Sequence, residues 1–545
     1  MLVLVALTVN LAGYPLLDPD EGRNGEVARE MAERGDLVRP RLNGLPYVDK
    51  PVLHFAATAT ALRVLGVNEF AARLPSVLFT LGTLGVVFWF ARRWLGNQGA
   101  WTAVVATGAA PLTVGFARTV IFDATLTLFV TVALVGFYEA VERRVAGSDG
   151  WGWTTVAWLG IGAAVLTKGP IGIALPLMVA APYAAWRRAS VAVWTSAGPL
   201  AFAALVLPWL ILMSRDVPDL VEYALVTETY DRLRSGLGRT GPLWYFIPIL
   251  LAGTLPWSAA LLAGWRSSRP MRREGGERDH RTVFLLLWVL VPLVFFTLSQ
   301  SKRPQYVLPL VPAVALLIAR TWTQGIVPGA AVTSTALVAA GAVIAGAPAI
   351  VPHLLAVSPE IASAIPSAAF TLGGCTTAAG ALLWLVRSRA AIALAVLALP
   401  AAAIPLASGR LMREIARERS AAALASAVLP LLEPGSTVVA IETFPLSLPF
   451  YLRRTVLLAT DSGRELTSNY LAARVHRWRE VPGTTLRPAD WWYHALEECR
   501  VRVFVTRSDD RAVRAVLEGR VPLVIETRTH AAYGPCGRAL LAAEG

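Results

Sequence analysis

Cysteine, histidine and charge are all scarce in this chain, and each shortage removes a class of function. Three cysteines, Cys375, Cys499 and Cys536, stand among 545 residues with no C-x-x-C spacing, so no zinc-ribbon, iron–sulfur or thioredoxin-like motif is present. Cys375 lies in an apolar run, which leaves only Cys499 and Cys536 able to pair; inert thiols are the expectation. The six histidines offer no ligand spacing, and His54, inside an apolar stretch, reads as a residue that snorkels toward water. Glycine-rich phosphate loops, Walker motifs and a nucleotide-sugar D-x-D motif in convincing context are missing, so no soluble nucleotide cofactor is called for. Charged residues amount to only 16% of the chain, against roughly 25% in soluble domains.

What is abundant is apolar. Hydrophobic residues make up 55% of the sequence and the mean hydropathy is +0.54, the balance of a polytopic membrane protein. The formal net charge of +13 would suit a nucleic-acid binder, but the arginines come in pairs just after apolar runs, where the positive-inside rule places them. Runs long enough to span occur at 2–17, 72–93, 100–117, 122–140, 152–167, 169–186, 191–213, 242–264, 282–298, 304–320, 328–350, 367–386 and 390–407, which predicts about thirteen spans. The first lacks a basic start and a small-residue cleavage site, so it reads as an uncleaved anchor.

With the N-terminus inside, Arg92 and Arg93, Arg143 and Arg144, Arg187 and Arg188, the arginine-rich 266–281 loop, and Arg387 with Arg389 all fall on the inner face. That topology requires the apolar stretch 51–66 to lie in the interface rather than cross. An odd number of spans then leaves the tail outside. The rare charges Asp20, Lys50, Asp123, Lys168, Arg232 and Lys302 all fall at outward-pointing ends of apolar runs. Charges near lipid cost roughly 2.5 to 3.5 kcal/mol at a helix centre on insertion scales, so a one-sided gathering of them points to a functional site at the outer face.

Two outer segments, 18–71 and 214–241, carry the specific signals. Asp18-Pro19-Asp20-Glu21 predicts a helix start, with Asp18 as N-cap, Pro19 first and Glu21 closing a capping box, and the helix continues to about Arg34. Asp20, Arg23, Asn24 and Val27 share one face of it. The same pattern would serve an ordinary interfacial helix in which Asp20 and Arg23 neutralise one another. Arg118 and Lys168 read equally as interfacial anchors. Lys168 in Lys-Gly-Pro-Ile-Gly and Lys302 in the 299–306 loop stand on sharp outer turns, where an anionic ligand explains them better than the positive-inside rule does.

Several motifs, in matching order over residues 2–320, resemble the GT-C membrane glycosyltransferases that use polyprenyl-phosphate sugars, especially the aminoarabinose-to-lipid-A transferases and their protein mannosyltransferase relatives. They are Asp20-Glu21-x-Arg23, Glu26-x-Ala28-Arg29-Glu30-Met31, Leu42-Asn43-Gly44, Tyr47, Lys50-Pro51, Arg118-Thr119, Asp123-Ala124, Leu166 to Gly172, Gly238 to Tyr245, and Ser301-Lys302-x-Pro304-x-Tyr306. The resemblance implies a mainly α GT-C membrane fold with outer juxtamembrane helices, a catalytic carboxylate at Asp20 and a second acidic position at Asp123. It implies donor phosphate or lipid-sugar contacts from Arg23, Tyr47, Lys50, Lys168, Arg232, Lys302 and Tyr306, supported by Glu21, Asp49, Arg118 and Glu228. Fixed cations would stabilise the anionic lipid phosphate as it departs. The segment around Glu228 carries Thr229 where the family often has histidine, which argues against a divalent metal there; no metal ligand is assigned.

After residue 408 the composition changes. A charged helix at about 410–432 precedes short apolar runs at 437–441, 455–459, 501–506 and 522–526, with a helical pattern at 509–519, as in a small α/β domain. The aromatic run at 491–493 reads as packing. The expected organisation is a transmembrane catalytic domain over 1–408 and a soluble extracytoplasmic α/β domain over 409–545, in a monomer of the bacterial inner membrane. Its expected partners are a polyprenyl-phosphate sugar, an envelope lipid or protein acceptor and membrane lipids, with no nucleic acid. A flippase or transporter of a lipid-linked sugar is the alternative; it would favour internal repeats and midplane polar groups, and neither is seen.

Overall fold

The computed structural model describes residues 1–195, 197–231, 240–267, 279–322, 329–499 and 502–536. They pack as two compact units, one joining residues 1–11 to 73–411 and the other joining 12–72 to 412–545.

The first unit is helical. Among the described residues eight helices are long and apolar enough to cross a membrane: Glu69–Gly108, Asp123–Val145, Ser190–Asp216, His280–Leu298, Pro304–Thr321, Ala330–Leu354, Pro359–Val386 and Ala390–Ala407. The thirteen apolar runs exceed eight because backbone breaks merge, divide or shorten several of them, and because run 152–167, the unbroken 18-residue Trp151–Lys168 helix, is less apolar than the eight. Runs 72–93 and 100–117 fall mainly in the 40-residue Glu69–Gly108 helix, interrupted at Gly96, whose φ of 67° lies where only glycine sits without strain. Run 242–264 divides into Phe246–Gly253 and Trp257–Ser267, on either side of Pro256, which cannot donate to the helical ladder. Run 2–17 is helical only over Leu2–Thr8, and run 169–186 gives the 16-residue Ile171–Trp186.

Burial grades these helices. The most apolar window of Asp123–Val145 is 83% buried, against 17% for Ala330–Leu354, so the former is the inner post of the unit. Its neighbour Trp151–Lys168 approaches closely: a Cβ placed on Gly136 would come within 3.0 Å of Ala157, and one on Gly160 within 2.9 Å of the Ala133 backbone. Close backbone approach through small residues is how helices associate when lipid supplies no hydrophobic drive. At one end of this post Glu142 accepts from Tyr183 Oη at 2.6 Å and from Arg187 at 2.9 and 3.0 Å, with His280 Nε2 at 3.3 Å. Arg93 lies 3.7 Å from Glu139. Thus residues from four of the basic turns expected inside are brought to the same end. Asp123 is at the other.

The second unit opens with the Asp20–Arg34 helix, followed by a hairpin of strand β1 (Arg41–Leu42) and strand β2 (Leu45–Pro46). The Leu53–Leu65 helix comes next. Thirteen residues at 1.5 Å each make about 20 Å, short of the ~30 Å hydrocarbon core. His54 does not snorkel: it is fully buried in this helix, and burial holds its imidazole down at about 3. The remaining strands are β3 (Thr437–Ile441), β4 (Leu457–Ala459), β5 (Leu486–Arg487), β6 (Arg502–Arg507), β7 (Leu523–Glu526) and β8 (His530–Tyr533). They form one mixed sheet in the order β5-β4-β3-β6-β8-β7, parallel from β5 to β6 and antiparallel beyond. Trp492 packs in its core.

Cys499 and Cys536 are joined in a disulfide, correcting the expectation of inert thiols. Cys499 closes the Trp491–Glu498 helix and Cys536 follows β8, with Cα atoms 5.1 Å apart, inside the range that a disulfide bridges. Residues 12–72 are tied to the C-terminal chain by Asp18 N–H to Arg419 O (2.6 Å), Leu16 N–H to Tyr451 Oη (2.7 Å) and Tyr451 Oη–H to Glu69 (3.0 Å).

Candidate active site

The predicted site residues form two clusters, one in each unit. In the transmembrane unit Asp123 begins its helix and Lys168 ends the antiparallel neighbour, so both stand at the same end. Lys168 Nζ donates to Asp123 Oδ1 at 2.5 Å, with the side chains only 15% and 4% exposed. The ammonium also lies 5.0 Å over the Tyr306 ring, and Tyr306 Oη is 3.2 Å from Ser301 Oγ. Tyr306 lies nearly parallel to Phe246, and Lys302 sits 5.3 Å over that same Phe246 ring. The turn between His280–Leu298 and Pro304–Thr321 therefore delivers Lys302 and Tyr306 to the end occupied by Asp123.

Lys302 also has a local task. Its Nζ donates to Phe296 O (3.0 Å) and Thr297 O (2.6 Å), orphan carbonyls at a helix C-terminus, and burial lowers its pKa. Arg118 donates to Ala6 O at 3.1 Å and Val9 O at 2.7 Å. Glu228 accepts from Tyr223 Oη at 3.2 Å within the π-helical segment Tyr223–Asp231. Arg232 lies outside the described residues.

In the second unit the Asp20–Arg34 helix starts later than the capping-box reading predicts. Pro19 holds the N-cap place and Asp18 makes no cap; its carboxylate instead accepts from Ser447 Oγ at 2.9 Å. Burial raises the Asp18 pKa to about 7. Glu21 does reach back, accepting from Leu17 N–H at 3.1 Å. Arg23 Nη2 donates to Asp20 at 2.6 Å, Nη1 donates to Thr467 Oγ1 at 2.9 Å, and the guanidinium lies 5.9 Å from the Tyr47 ring centre. Burial disfavours the Arg23 charge, but Tyr47, Asp20 and Asp49 together raise its pKa. Asp49 accepts from Tyr470 N–H at 3.3 Å, and Lys50 Nζ donates to the Asp49 carbonyl. The helix thus brings together Asp20, Arg23, Tyr47 and Asp49, with Lys50 adjacent.

The same helix is anchored below this face. Arg29 grips Glu26 with two bonds of 2.7 and 2.8 Å, both side chains buried, and burial raises the Glu26 pKa to about 8. Glu30 accepts from Gly44 N–H with both oxygens, at 3.1 and 3.0 Å. Thr467 and Tyr470 were not anticipated near the site; nothing in their local sequence marks them. Asn43 had a signal that could have found it: Asn-Gly between two short β-prone segments is the signature of a tight hairpin turn.

The family model for dolichyl-phosphate-mannose-protein mannosyltransferases matches residues 25–224. The undecaprenyl phosphate-α-4-amino-4-deoxy-L-arabinose arabinosyl transferase of Aeromonas hydrophila is 33% identical over 310 residues, covering 56% of each chain. That of Edwardsiella ictaluri is 31% identical over 331 residues, 58% of each. The chain therefore spans somewhat more than half the length of these curated relatives. Along almost the whole length the fold is similar to that of ArnT from Cupriavidus metallidurans crystallised with undecaprenyl phosphate: TM-score 0.81, 26% identity, 98% of this chain and 97% of that one.

Proposed function

We propose that the chain is a GT-C membrane glycosyltransferase, akin to the aminoarabinose transferases and protein mannosyltransferases that it resembles, and that it transfers a sugar from a polyprenyl-phosphate donor to a cell-envelope acceptor. One observation carries the reading: a chain whose fold matches, over 98% of its length, that of a protein crystallised with undecaprenyl phosphate presents buried or half-buried cations beside carboxylates at helix ends. Lipid A-like phosphate or a glycolipid is the first choice of acceptor, and a protein hydroxyl the second.

In this reading the bond between the anomeric carbon and the phosphate oxygen breaks, and the lipid phosphate leaves with the electron pair. Lys50, Arg232 and Lys302 stabilise the departing anion, in a site where little water competes. Tyr47 and Tyr306 are assigned lipid-sugar contacts. Asp20 takes the proton from an acceptor hydroxyl as its oxygen bonds to carbon, and Arg23 at 2.6 Å keeps that carboxylate oriented. An acceptor phosphate is already anionic and needs no base; Asp20 then orients it, and Arg23 with Lys50 offsets the repulsion. Asp123, paired with Lys168, is the second acidic group, and Glu21, Asp49, Arg118 and Glu228 support. The protein works in the bacterial inner membrane with the site and the C-terminal sheet on the outer side, where the Cys499–Cys536 disulfide finds an oxidising compartment.

The test is Asp20→Asn in purified protein given undecaprenyl-phosphate sugar. Transfer should fall at least ~100-fold while undecaprenyl phosphate still binds; undiminished turnover removes Asp20 from the chemistry. Mass spectrometry of envelope lipids and glycoproteins from a deletion strain identifies the acceptor.

A further inference from the structure

The β1–β2 hairpin is too small to hold its own shape. Two residues per strand make one antiparallel rung at each position, and isolated hairpins far longer than this are marginal in water. Its turn residues Asn43 and Gly44 are both left-handed, with φ of 53° and 80°. That geometry matches strand twist but costs a non-glycine residue steric energy. Yet the Tyr47 to Lys50 segment begins directly after the hairpin.

Side chains from elsewhere in the second unit supply the missing stability. Asn43 is fully buried and pairs with the chain just before β4 through both ends of its amide: Nδ2 donates to Val456 O at 2.7 Å and Oδ1 accepts from Val456 N–H at 2.8 Å. Asn43 O accepts from Thr485 Oγ1 at 2.7 Å, just before β5. Glu30 holds Gly44 N–H from the other side. The amide therefore imitates a short stretch of β ladder, and couples the turn to the edge of the C-terminal sheet. Below it Tyr470 N–H holds Asp49, and Thr467 holds Arg23.

We propose that Asn43 is a positioning residue for donor binding: by splicing the hairpin to the C-terminal sheet through Val456 and Thr485, it sets the placement of Tyr47 and Lys50 against the polyprenyl phosphate. The inference rests on the donor-phosphate role read above for Lys50. It makes the C-terminal sheet a part of the donor site rather than an appendage. Asn43 touches no reacting atom, so its loss should act on donor affinity more than on turnover of bound donor.

The experiment measures undecaprenyl phosphate binding and sugar transfer for four full-length variants in detergent. Asn43→Ala should weaken undecaprenyl phosphate about tenfold and raise the donor KM similarly, with kcat within about twofold. Thr485→Val, which removes one of the three bonds and leaves the Val456 pair, should weaken binding two- to threefold; it decides the matter if Asn43→Ala fails to fold. Asn43→Asp retains the acceptor for Val456 N–H but sets a carboxylate against Val456 O, and should bind no better than Asn43→Ala. Folding is checked by the melting transition. Lys50→Ala separates the two ideas. Loss of binding in Lys50→Ala with wild-type binding and KM in folded Asn43→Ala and Thr485→Val overturns the positioning role alone. Wild-type binding in Lys50→Ala overturns the donor-site reading beneath it. A fall in kcat at unchanged KM would also overturn the proposal.

Discussion

The acidic–basic pairs of the two candidate clusters, one in each unit, are built by opposite means. Asp20 and Arg23 are three residues apart on one helix, and the pair forms because helical periodicity places them on one face. Asp123 and Lys168 are 45 residues apart on separate helices, and meet only because an antiparallel pair packs through Gly136 and Gly160. Their surroundings differ as well. Asp20 is 36% exposed and can turn to water, whereas Asp123 is 4% exposed. A buried ion needs its partner, because the desolvation cost remains when the partner leaves. The local pair is therefore free to exchange partners during a reaction, and the distant pair acts as a fixed strut that carries charge.

The sharpest test of that contrast is to remove one cation from each pair. Lys168→Ala should destabilise the transmembrane unit by roughly 3 to 5 kcal/mol, and Lys168→Met with Asp123→Leu should recover much of the loss. Arg23→Ala should cost only about 1 to 2 kcal/mol, because water can replace the guanidinium at Asp20. Melting in a common detergent measures both; equal losses would erase the distinction.

A second test uses pH on the unit that holds the Asp20–Arg23 pair. The folded pKa of Asp18 is raised to about 7 from 3.8, so between about pH 4 and 7 the unfolded chain binds fewer protons than the folded one. Stability of the second unit should fall as pH rises through that window and level off above it, with Asp18 contributing roughly 2 to 4 kcal/mol. Glu26, raised to about 8, adds a slope of the same sign from near pH 4.5 to 8. Asp18→Asn should flatten the Asp18 part of the profile, read as Tm against pH; an unchanged slope would show that Asp18 is ionised when folded.

The smallest effect belongs to the C-terminal turn of the Asp20–Arg34 helix. Arg29 also donates to Glu33 at 2.6 Å, but Glu33 is 62% exposed, so Glu33→Ala should cost under about 1 kcal/mol. A larger loss would mean that the Glu26–Arg29 grip depends on the third charge.

Apolar run length sufficed to place most of the long helices, and the Gly-Pro turn after Lys168 marked where one of them ends, since these are local consequences of a ~30 Å hydrocarbon layer and of helix periodicity. Strands β3, β4, β6 and β7 were visible as short apolar runs bounded by turn residues. The two-residue β5 and the Ala-rich β8 carry too little pattern to announce themselves. Breaks at Gly96 and Pro256 had plain signals, but how they divide a run into short helices depends on what packs around them.

Residue types, their order and their spacing by themselves determined a helical membrane protein with carboxylates and cations collected at helix ends, because hydropathy and i to i+3 geometry act over a few residues. Only the tertiary structure decided that Lys168 completes Asp123, that Thr467 and Tyr470 hold Arg23 and Asp49, that Cys499 meets Cys536, and that a two-residue hairpin is spliced into a distant sheet. Those pairings join residues 37 to 444 positions apart, and no local preference of the chain specifies which of many such partners will be brought within hydrogen-bond reach.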